Sequence, residues 1–241
     1  MANKNLEPEP PLRRPVSKRS LRPRSTHGAR RAAGSGQAPK TAFDPLLAFP
    51  PAPPPEGDVR PPAPRDFLFG GQPYLIRPLG PSDEGRLISF FNSHTEETIR
   101  QRYGYQISEM THKRALRLVD VDQTRDVALG VFERAADGED VLHAVGRYLL
   151  DPTARTAEAA FVVRENKRGL GICSTLLQLL LQTARSRGIS YLSAQVQADN
   201  APMLSVFRRH GGRAQPIPGA DAMEVFVPTC IPSDAKAPTP Q

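Results

Sequence analysis

The sequence predicts an α/β domain in which a mixed central sheet is flanked by helices. Two observations lead to this fold class. Apolar segments of strand length alternate with segments of helical periodicity between residues 67 and 229, and three of the strands follow one another directly, as in an antiparallel meander. The region spans about 160 residues, which is enough for one domain with an adequate core.

The first half of this region predicts one strand followed by three helices. The strand covers residues 74–78 and ends at a proline. The first helix begins near residue 82, where acidic residues occupy the first turn and suit the positive end of the helix dipole. Two further helices are predicted over 95–103 and 108–119, because a hydroxyl residue opens each of them.

The second half predicts the meander, two helices and two more strands. The Asp-Gly pair that ends at Gly138 indicates a hairpin turn between the first two meander strands. Gly188 is a typical stop for the long leucine-rich helix. The predicted elements are strands over 126–133, 141–150 and 157–163, a helix ending at 187, a strand over 191–196, a helix over 201–209 and a strand over 222–227.

The two ends of the chain differ from this region in composition. Residues 1–65 hold 12 Lys and Arg against 5 Asp and Glu and 15 of the 26 prolines, while the remaining residues hold 20 basic and 20 acidic groups. Such a segment cannot bury enough apolar surface to fold, so residues 1–66 are predicted to be a disordered basic tail. Residues 230–241 are predicted to be a flexible C-terminus.

The composition also restricts partners and compartment. The basic run over 13–31 can attract an acidic partner, but it lacks aromatic residues for base stacking, which makes nucleic acid an unlikely partner. No apolar run approaches the ~20 residues of a membrane span, and the first residues lack the apolar core of a secretory signal. Two cysteines and five scattered histidines predict neither a disulfide framework nor a metal site. We therefore expect a cytoplasmic protein.

A glycine-rich segment after the third meander strand predicts a phosphate site. Gly169 and Gly171 lie where this strand turns into a helix N-terminus, whose N–H groups and dipole favour an anion. Without side chains they let a pyrophosphate approach the backbone, and Lys167 and Arg168 add positive charge. The segment matches neither familiar nucleotide fingerprint, since Ser174 replaces the third glycine of one of them. The alternative is a glycine-rich turn without a ligand.

The spacing Arg168-x-x-Gly171-x-Cys173 resembles the signature with which the GNAT N-acetyltransferase superfamily grips the pyrophosphate of acetyl-CoA. The predicted order of elements is also that of the GNAT fold. From residue 74 to 212 the chain resembles, more narrowly, the GNAT domain of bacterial Pat-type protein lysine acetyltransferases. This narrower resemblance includes Ile76-Arg77-Pro78, Arg100-x-Arg102-Tyr103, Arg147-Tyr148, Ala157-Glu158 and Asn200-x-x-Met203.

The resemblance implies that acetyl-CoA is the co-substrate and that the acceptor is a protein such as an acyl-CoA synthetase. In this family the strand before the loop holds the pantetheine arm through its backbone, and an asparagine matching Asn200 lies near that arm. An N-cap role for Asn200 is the alternative and is compatible with the first. The residues implied to contact acetyl-CoA are Phe161, Val162, Val163, Lys167, Arg168, Gly169, Leu170, Gly171, Ile172, Cys173, Ser174 and Asn200.

Glu158 is the candidate general base. A lysine amine has a pKa near ~10.4 and must lose a proton to attack a thioester. Glu158 is the one charge in an apolar strand, where burial raises the pKa of a carboxyl group. The resemblance implies the same role, because a glutamate of this strand is the base in the family. The alternative is that Glu158 pairs with Arg147 or another charge on the strand face.

Two positions depart from the family pattern. Many relatives have a tyrosine at the position of Phe207 to protonate the departing thiolate, and phenylalanine has no proton to donate. Cys173 takes the last small position of the loop, either as a tolerated small residue or as a thiol with a lowered pKa at a helix N-terminus. These departures keep two alternatives open: acetylation of a small amine, and a non-catalytic acetyl-CoA-sensing module.

Overall fold

A mixed eight-stranded sheet with helices on both faces forms the centre of the molecule. The computed structural model describes residues 59–103, 109–134, 138–151 and 156–230. The strands are β1 Arg65–Phe69, β2 Gln72–Pro78, β3 Val127–Arg134, β4 Asp140–Asp151, β5 Thr156–Val163, β6 Tyr191–Gln197, β7 Arg213–Pro216 and β8 Ala222–Pro228. The helices are α1 Glu84–Asn92, α2 Glu96–Tyr103, α3 His112–Val119, α4 Ile172–Ser186 and α5 Ala201–Arg209. The predicted fold class is confirmed.

The strands lie in the order β1-β2-β3-β4-β5-β6-β8-β7. Every neighbouring pair is antiparallel except β5 and β6, which run parallel. Helix α4 connects these two strands, as a parallel crossover requires. The meander of β3, β4 and β5 is the one that the sequence predicts.

Two apolar cores lie on opposite faces of the sheet. Adjacent residues of β3 point to opposite faces, so Val127 belongs to one core and Ala128 to the other. The first core includes the apolar stripe of α4, with Leu176 and Leu180 fully buried. The second core includes Phe90 of α1, together with side chains of α3. β5, which carries Ala159 in the first core and Val162 in the second, therefore lies between two well-packed layers.

The sequence analysis does not predict β1 and β7. β1 pairs with β2 through a two-residue turn in which Gly70 and Gly71 have φ of 58° and 79°. Positive φ at both positions is the geometry of a tight hairpin, and glycine adopts it without a steric penalty. β7 is a short edge strand with no apolar alternation, and it pairs with β8. The strand that was predicted to be the first is therefore β2.

Most other boundaries agree with the predictions within a few residues. The bounds of α5 are those predicted, Gly138 has the φ of 84° that its turn requires, and Gly188 with φ of 69° follows the end of α4. The predicted tail before residue 59 and the C-terminus after 230 lie outside the described residues. Their boundaries stay predictions, although β1 begins at Arg65, two residues before the predicted start of the domain.

Candidate active site

The sheet opens between β5 and β6. Their parallel ladder holds three residue pairs and ends at Glu158 opposite Ser193. Beyond that point β5 continues to Val163 beside β4, while β6 continues beside β8. Within the described residues, the side of β5 that faces β6 has no strand beside it from Ala159 onward. An extended ligand can join such an edge through backbone hydrogen bonds, as a further strand does.

The side chains of Phe161, Val162 and Val163 pack into the two cores along this edge. Val162 is buried in the core on the α1 side, and the other two are partly buried against the α4 core. The packing is close, since a Cβ added at Gly146 would lie 3.1 Å from both the Phe161 ring and the Leu176 Cβ. The backbone along the open edge is therefore the part of this segment that fits the predicted contact with a pantetheine arm.

Glu158 lies at the last residue pair before the opening and is half-buried. Burial raises the pKa of its carboxyl group above the ordinary glutamate value. The positive charge of Arg102 on α2 opposes this rise, and the negative charge of Glu224 on β8 adds to it. A carboxylate with a raised pKa is a better proton acceptor, which suits the role predicted for Glu158.

The glycine-rich loop forms an open turn before α4. Gly169 and Gly171 have φ of 80° and 85°, and Gly171 is the residue that precedes the first turn of α4. A Cβ added at either glycine would meet nothing within 4 Å, so the space above the turn is open. The N–H groups of the first helical turn have no acceptor within the helix and point to the N-terminal side. The geometry fits the predicted phosphate site.

Glu165 attaches this loop to the start of α2. Its Oε1 accepts a hydrogen bond from the Thr95 N–H (3.1 Å), and its Oε2 lies 3.2 Å from His94 Nδ1. Burial opposes ionisation of Glu165, but hydrogen bonds from Thr98, Thr95 and His94 outweigh it and lower its pKa to about 2. The guanidinium of Arg168 donates to Thr98 Oγ1 at 2.8 Å. The loop and α2 thus form one connected unit.

Lys167 points to β2 and β3 rather than into the open turn. Its Nζ donates to the Tyr74 hydroxyl (2.7 Å) and to Glu133 Oε2 (2.9 Å). His143 Nε2 lies 2.8 Å from the same carboxylate, and burial lowers the pKa of His143 to about 4. Lys167 would have to leave this ion pair to contact a phosphate, so its predicted contribution to the anion site is weaker than that of Arg168.

The first residues of α4 have separate contacts. Ile172 is buried in the core, and the neighbouring loop residue Leu170 is partly exposed. The thiol of Cys173 lies 3.5 Å from the Met203 sulfur, and burial raises its pKa to about 12. The alternative of a thiol with a lowered pKa is therefore wrong. Ser174 Oγ lies 2.8 Å from His210 Nε2, at the residue that follows α5.

Asn200 and Phe207 position α5. Asn200 Oδ1 accepts a hydrogen bond from the Met203 N–H at 3.1 Å, which confirms that Asn200 is an N-cap. Phe207 is 1% exposed, and its ring meets that of Phe161 edge to face at a centroid distance of 6.0 Å. Phe207 therefore reaches the last part of β5, the strand that carries Glu158.

The sequence analysis does not single out Glu165, Thr98, His210 or Glu224. All four act through contacts between elements that are far apart in the chain, so neither spacing nor periodicity indicates them. The sequence shows Glu165 as part of the loop, but it does not show the partners of Glu165 at the start of α2. Folding brings the loop to the start of α2, some 70 residues earlier in the chain.

Comparison with known proteins assigns the chain to a family. Residues 89–212 match the model of the Acetyltransferase (GNAT) family. The chain belongs to the GNAT acetyltransferase family. GNAT acetyltransferases use acetyl-CoA as their co-substrate, and the open turn and the free edge of β5 fit a phosphate and an extended arm.

Relatives of this GNAT domain include two bacterial acetyltransferases. It is 27% identical to Acetyltransferase PA5475 of Pseudomonas aeruginosa over 138 residues, which are 57% of this chain and 74% of that protein. It is 28% identical to Acetyltransferase Pat of Mycolicibacterium smegmatis over 142 residues, which are 58% of this chain. The match covers 41% of that Pat protein, so the chain spans less than half of this relative.

A solved structure shares the fold of this GNAT domain. The GNAT domain of S. lividans PAT superposes with a TM-score of 0.61 at 25% identity, over 68% of this chain and 96% of that domain. Among the residues that our structure describes, no helix has the length and hydropathy needed to cross a bilayer. The same residues contain no cluster of three or more His, Cys, Asp or Glu side chains arranged to hold a metal ion.

Proposed function

We propose that this GNAT protein transfers the acetyl group of acetyl-CoA directly to lysine side chains of a protein, with Glu158 as the general base. The observation that carries the proposal is the position of Glu158. It is half-buried, its pKa is raised, and it lies at the last residue pair before β5 and β6 separate. The resemblance to Pat-type domains and the relatives named Pat support a protein acceptor.

Acetyl-CoA is proposed to occupy the opening between β5 and β6. Its pyrophosphate lies above Gly169 and Gly171, close to the N–H groups of Ile172, Cys173 and Ser174. Its pantetheine arm follows the backbone of residues 161–163 as an added strand. This placement brings the thioester toward Glu158, because β5 runs from Glu158 to the loop. Arg168 adds a positive charge once it turns from Thr98 to the phosphates.

The transfer needs one proton acceptor and one proton donor. The acceptor nitrogen attacks the thioester carbonyl carbon, the new C–N bond forms, and the C–S bond breaks. The amine proton passes to Glu158, directly or through a water. The coenzyme leaves as a thiolate, and Phe207 has no proton to give it. Water or another donor therefore protonates the thiolate in this protein.

The experiment that tests the proposal measures release of the CoA thiol from acetyl-CoA by the purified protein. One reaction contains an acyl-CoA synthetase as protein acceptor, and a second contains a panel of small amines. Release with the synthetase, together with acetyl-lysine in its peptides by mass spectrometry, is the expected result. Heat-denatured protein is the blank.

Each other result would contradict a different part of the proposal. Release with an amine alone would overturn the protein acceptor in favour of small-molecule acetylation. Binding of acetyl-CoA without release in either reaction would overturn catalysis and favour a sensing module. Failure to bind acetyl-CoA at all would overturn the proposed site itself.

A further inference from the structure

His210, which directly follows α5, lies beside the proposed pyrophosphate site. Ser174 is the third residue of α4, so its backbone N–H is one of those without an acceptor in the helix. Its hydroxyl lies 2.8 Å from Nε2 of His210, the residue that directly follows α5. His210 is half-buried and is therefore still accessible to solvent and ligand. Through this contact, only the Ser174 side chain separates the imidazole from the proposed phosphate site.

A proton on Nε2 of His210, present or absent, decides the direction of this hydrogen bond. When Nε2 has no proton, the Ser174 hydroxyl must donate to it, and only its oxygen lone pairs face the ligand. When Nε2 carries a proton, as it does in the imidazolium and in one neutral tautomer, it donates to Ser174 Oγ, and the hydroxyl proton is free to point elsewhere. A phosphate oxygen is an acceptor and needs that proton. An anion above α4 therefore favours a proton on Nε2 through the hydroxyl, and it favours the fully protonated imidazole through its charge.

We propose that His210 is a positioning residue for the pyrophosphate of acetyl-CoA: it takes up a proton when the coenzyme binds and turns the Ser174 hydroxyl toward a phosphate oxygen. The inference rests on the proposed function, because it needs the pyrophosphate above α4. It adds a residue from another helix to the coenzyme site. It also predicts that coenzyme affinity depends on pH through a group outside the glycine-rich loop.

The charges around His210 favour a neutral imidazole before the ligand arrives. Burial, followed by the positive charge of Arg209, lowers the pKa of His210. Arg208 on α5 and Arg213 on β7, which packs against α5, are further cations within three residues of His210 in the chain. From α4, His210 faces Ser174, and the Cys173 thiol stays neutral with its pKa of about 12. A bound pyrophosphate reverses this balance, because it adds negative charge to a cationic region.

The test is calorimetric titration with dephospho-CoA between pH 5.5 and 8.5. This probe keeps the pyrophosphate but lacks the 3′-phosphate, which titrates in the same range. Proton uptake at each pH is obtained by repeating the titration in buffers of different ionisation enthalpy. We expect uptake of a fraction of a proton near pH 7 and a dissociation constant that falls about three- to tenfold from pH 8 to pH 6. Affinity rises as the pH falls because the protonated imidazole favours the anion.

The variants are His210→Gln, which keeps a side-chain donor but cannot titrate, and His112→Gln as the matched control. His112 is 88% exposed on α3, where it contacts Glu84. We expect proton uptake and pH dependence to vanish in His210→Gln and to persist in His112→Gln. His210→Asn is a second variant, and thermal unfolding checks that each variant folds.

Three results would overturn the inference: no proton uptake by the wild type, unchanged uptake in His210→Gln, or uptake with CoA but not with dephospho-CoA. The last result would assign His210 to the 3′-phosphate. A wild type that binds neither CoA nor dephospho-CoA would instead contradict the proposed function, so the two failures are distinguishable.

Discussion

Glu158 and Cys173 are ordinary residue types whose chemistry is changed by their positions. Burial raises the pKa of both, yet the consequences are opposite. A carboxyl group with a raised pKa is a stronger base when it is ionised, whereas a thiol with a pKa of about 12 is almost wholly protonated and loses its reactivity. The sequence indicates the first effect through the apolar strand but leaves the second open.

Replacing Glu158 by glutamine should lower turnover without affecting coenzyme binding. The amide cannot accept the amine proton, so we expect kcat to fall by about 10²- to 10⁴-fold. The dissociation constant of acetyl-CoA should stay within about twofold, since the coenzyme contacts proposed here are made by other residues. Wild-type kcat/KM should rise as the pH rises through the pKa of Glu158, because only the ionised form accepts a proton. Equal rates for the two proteins would exclude Glu158 as the base.

Cys173 should resist alkylation as long as the protein is folded. Its thiol contacts Met203 and has a pKa of about 12, so the reactive thiolate is scarce at pH 7.5. We expect peptide mass spectrometry to find Cys173 unmodified after treatment with iodoacetamide and fully modified after treatment in urea. Rapid labelling of folded protein at Cys173 would show that the thiol is exposed or ionised.

At the scale of elements, the loop between β5 and α4 combines an unusual backbone with open space. Gly171→Ala should lower the free energy of unfolding by about 1–2 kcal/mol, because an L residue is strained at φ of 85°. The added methyl group also enters the space proposed for the pyrophosphate, so acetyl-CoA affinity should fall at least tenfold. Isothermal titration and urea unfolding measure the two effects.

Gly219→Ala is the matched control for this substitution. Gly219 has φ of 77° in the turn between β7 and β8, and a Cβ there also meets nothing within 4 Å. We expect a similar loss of stability and no change in acetyl-CoA affinity. Unchanged affinity in Gly171→Ala would contradict the placement of the phosphate site.

The contact between Glu165 and α2 should make stability depend on acidic pH. The pKa of Glu165 is about 2 in the folded protein, below the ordinary value, so its ionised form stabilises the fold. This contribution, about 1–3 kcal/mol after allowance for partial exposure, is complete above the ordinary glutamate pKa and is lost as the pH falls toward 2. Glu165→Gln should therefore be less stable than the wild type at pH 6, and this gap should shrink by about half at pH 3.

Urea unfolding at the two pH values measures this gap. Glu97→Gln, on the exposed surface of α2 where Glu97 accepts a hydrogen bond from Gln101, is the control and should change stability by less than about 0.5 kcal/mol. A gap for Glu165→Gln that is the same at both pH values would show that the carboxylate charge is not what stabilises α2.

At the scale of the whole molecule, the sequence predicts the fold better than the contacts between its elements. Periodicity and glycine positions predict the meander, α4 and α5, because these signals are local. β1 and β7 lack such a signal: β1 follows a proline-rich stretch, and β7 is a short edge strand. In the site, Glu158 and the glycines are predictable from their own surroundings. The partners of Glu165, Lys167 and Ser174 are not, since they come from distant segments.

The charge distribution of the chain leads to a prediction for residues 1–58. This segment holds ten Lys and Arg against five acids, so its removal lowers the net charge from +7 to +2. If it attracts an acidic protein acceptor, deletion should slow acetylation of that acceptor at low salt and leave the rate at high salt unchanged. Rates with a small amine are the control. Equal low-salt rates with the protein acceptor would reject recruitment by this segment.

The three-residue ladder between β5 and β6 also affects how the domain unfolds. Within the described part of the chain, it is the only strand pairing between a five-stranded half, β1 to β5, and a three-stranded half, β6, β8 and β7, and helix packing completes the junction. Such a short ladder is a natural boundary between cooperative units, which can unfold locally at different free energies. A coenzyme arm hydrogen-bonded along β5 would fill the opening between β5 and β6. In that case the bound coenzyme would link the two halves, and we expect its binding to make the unfolding of the domain more cooperative.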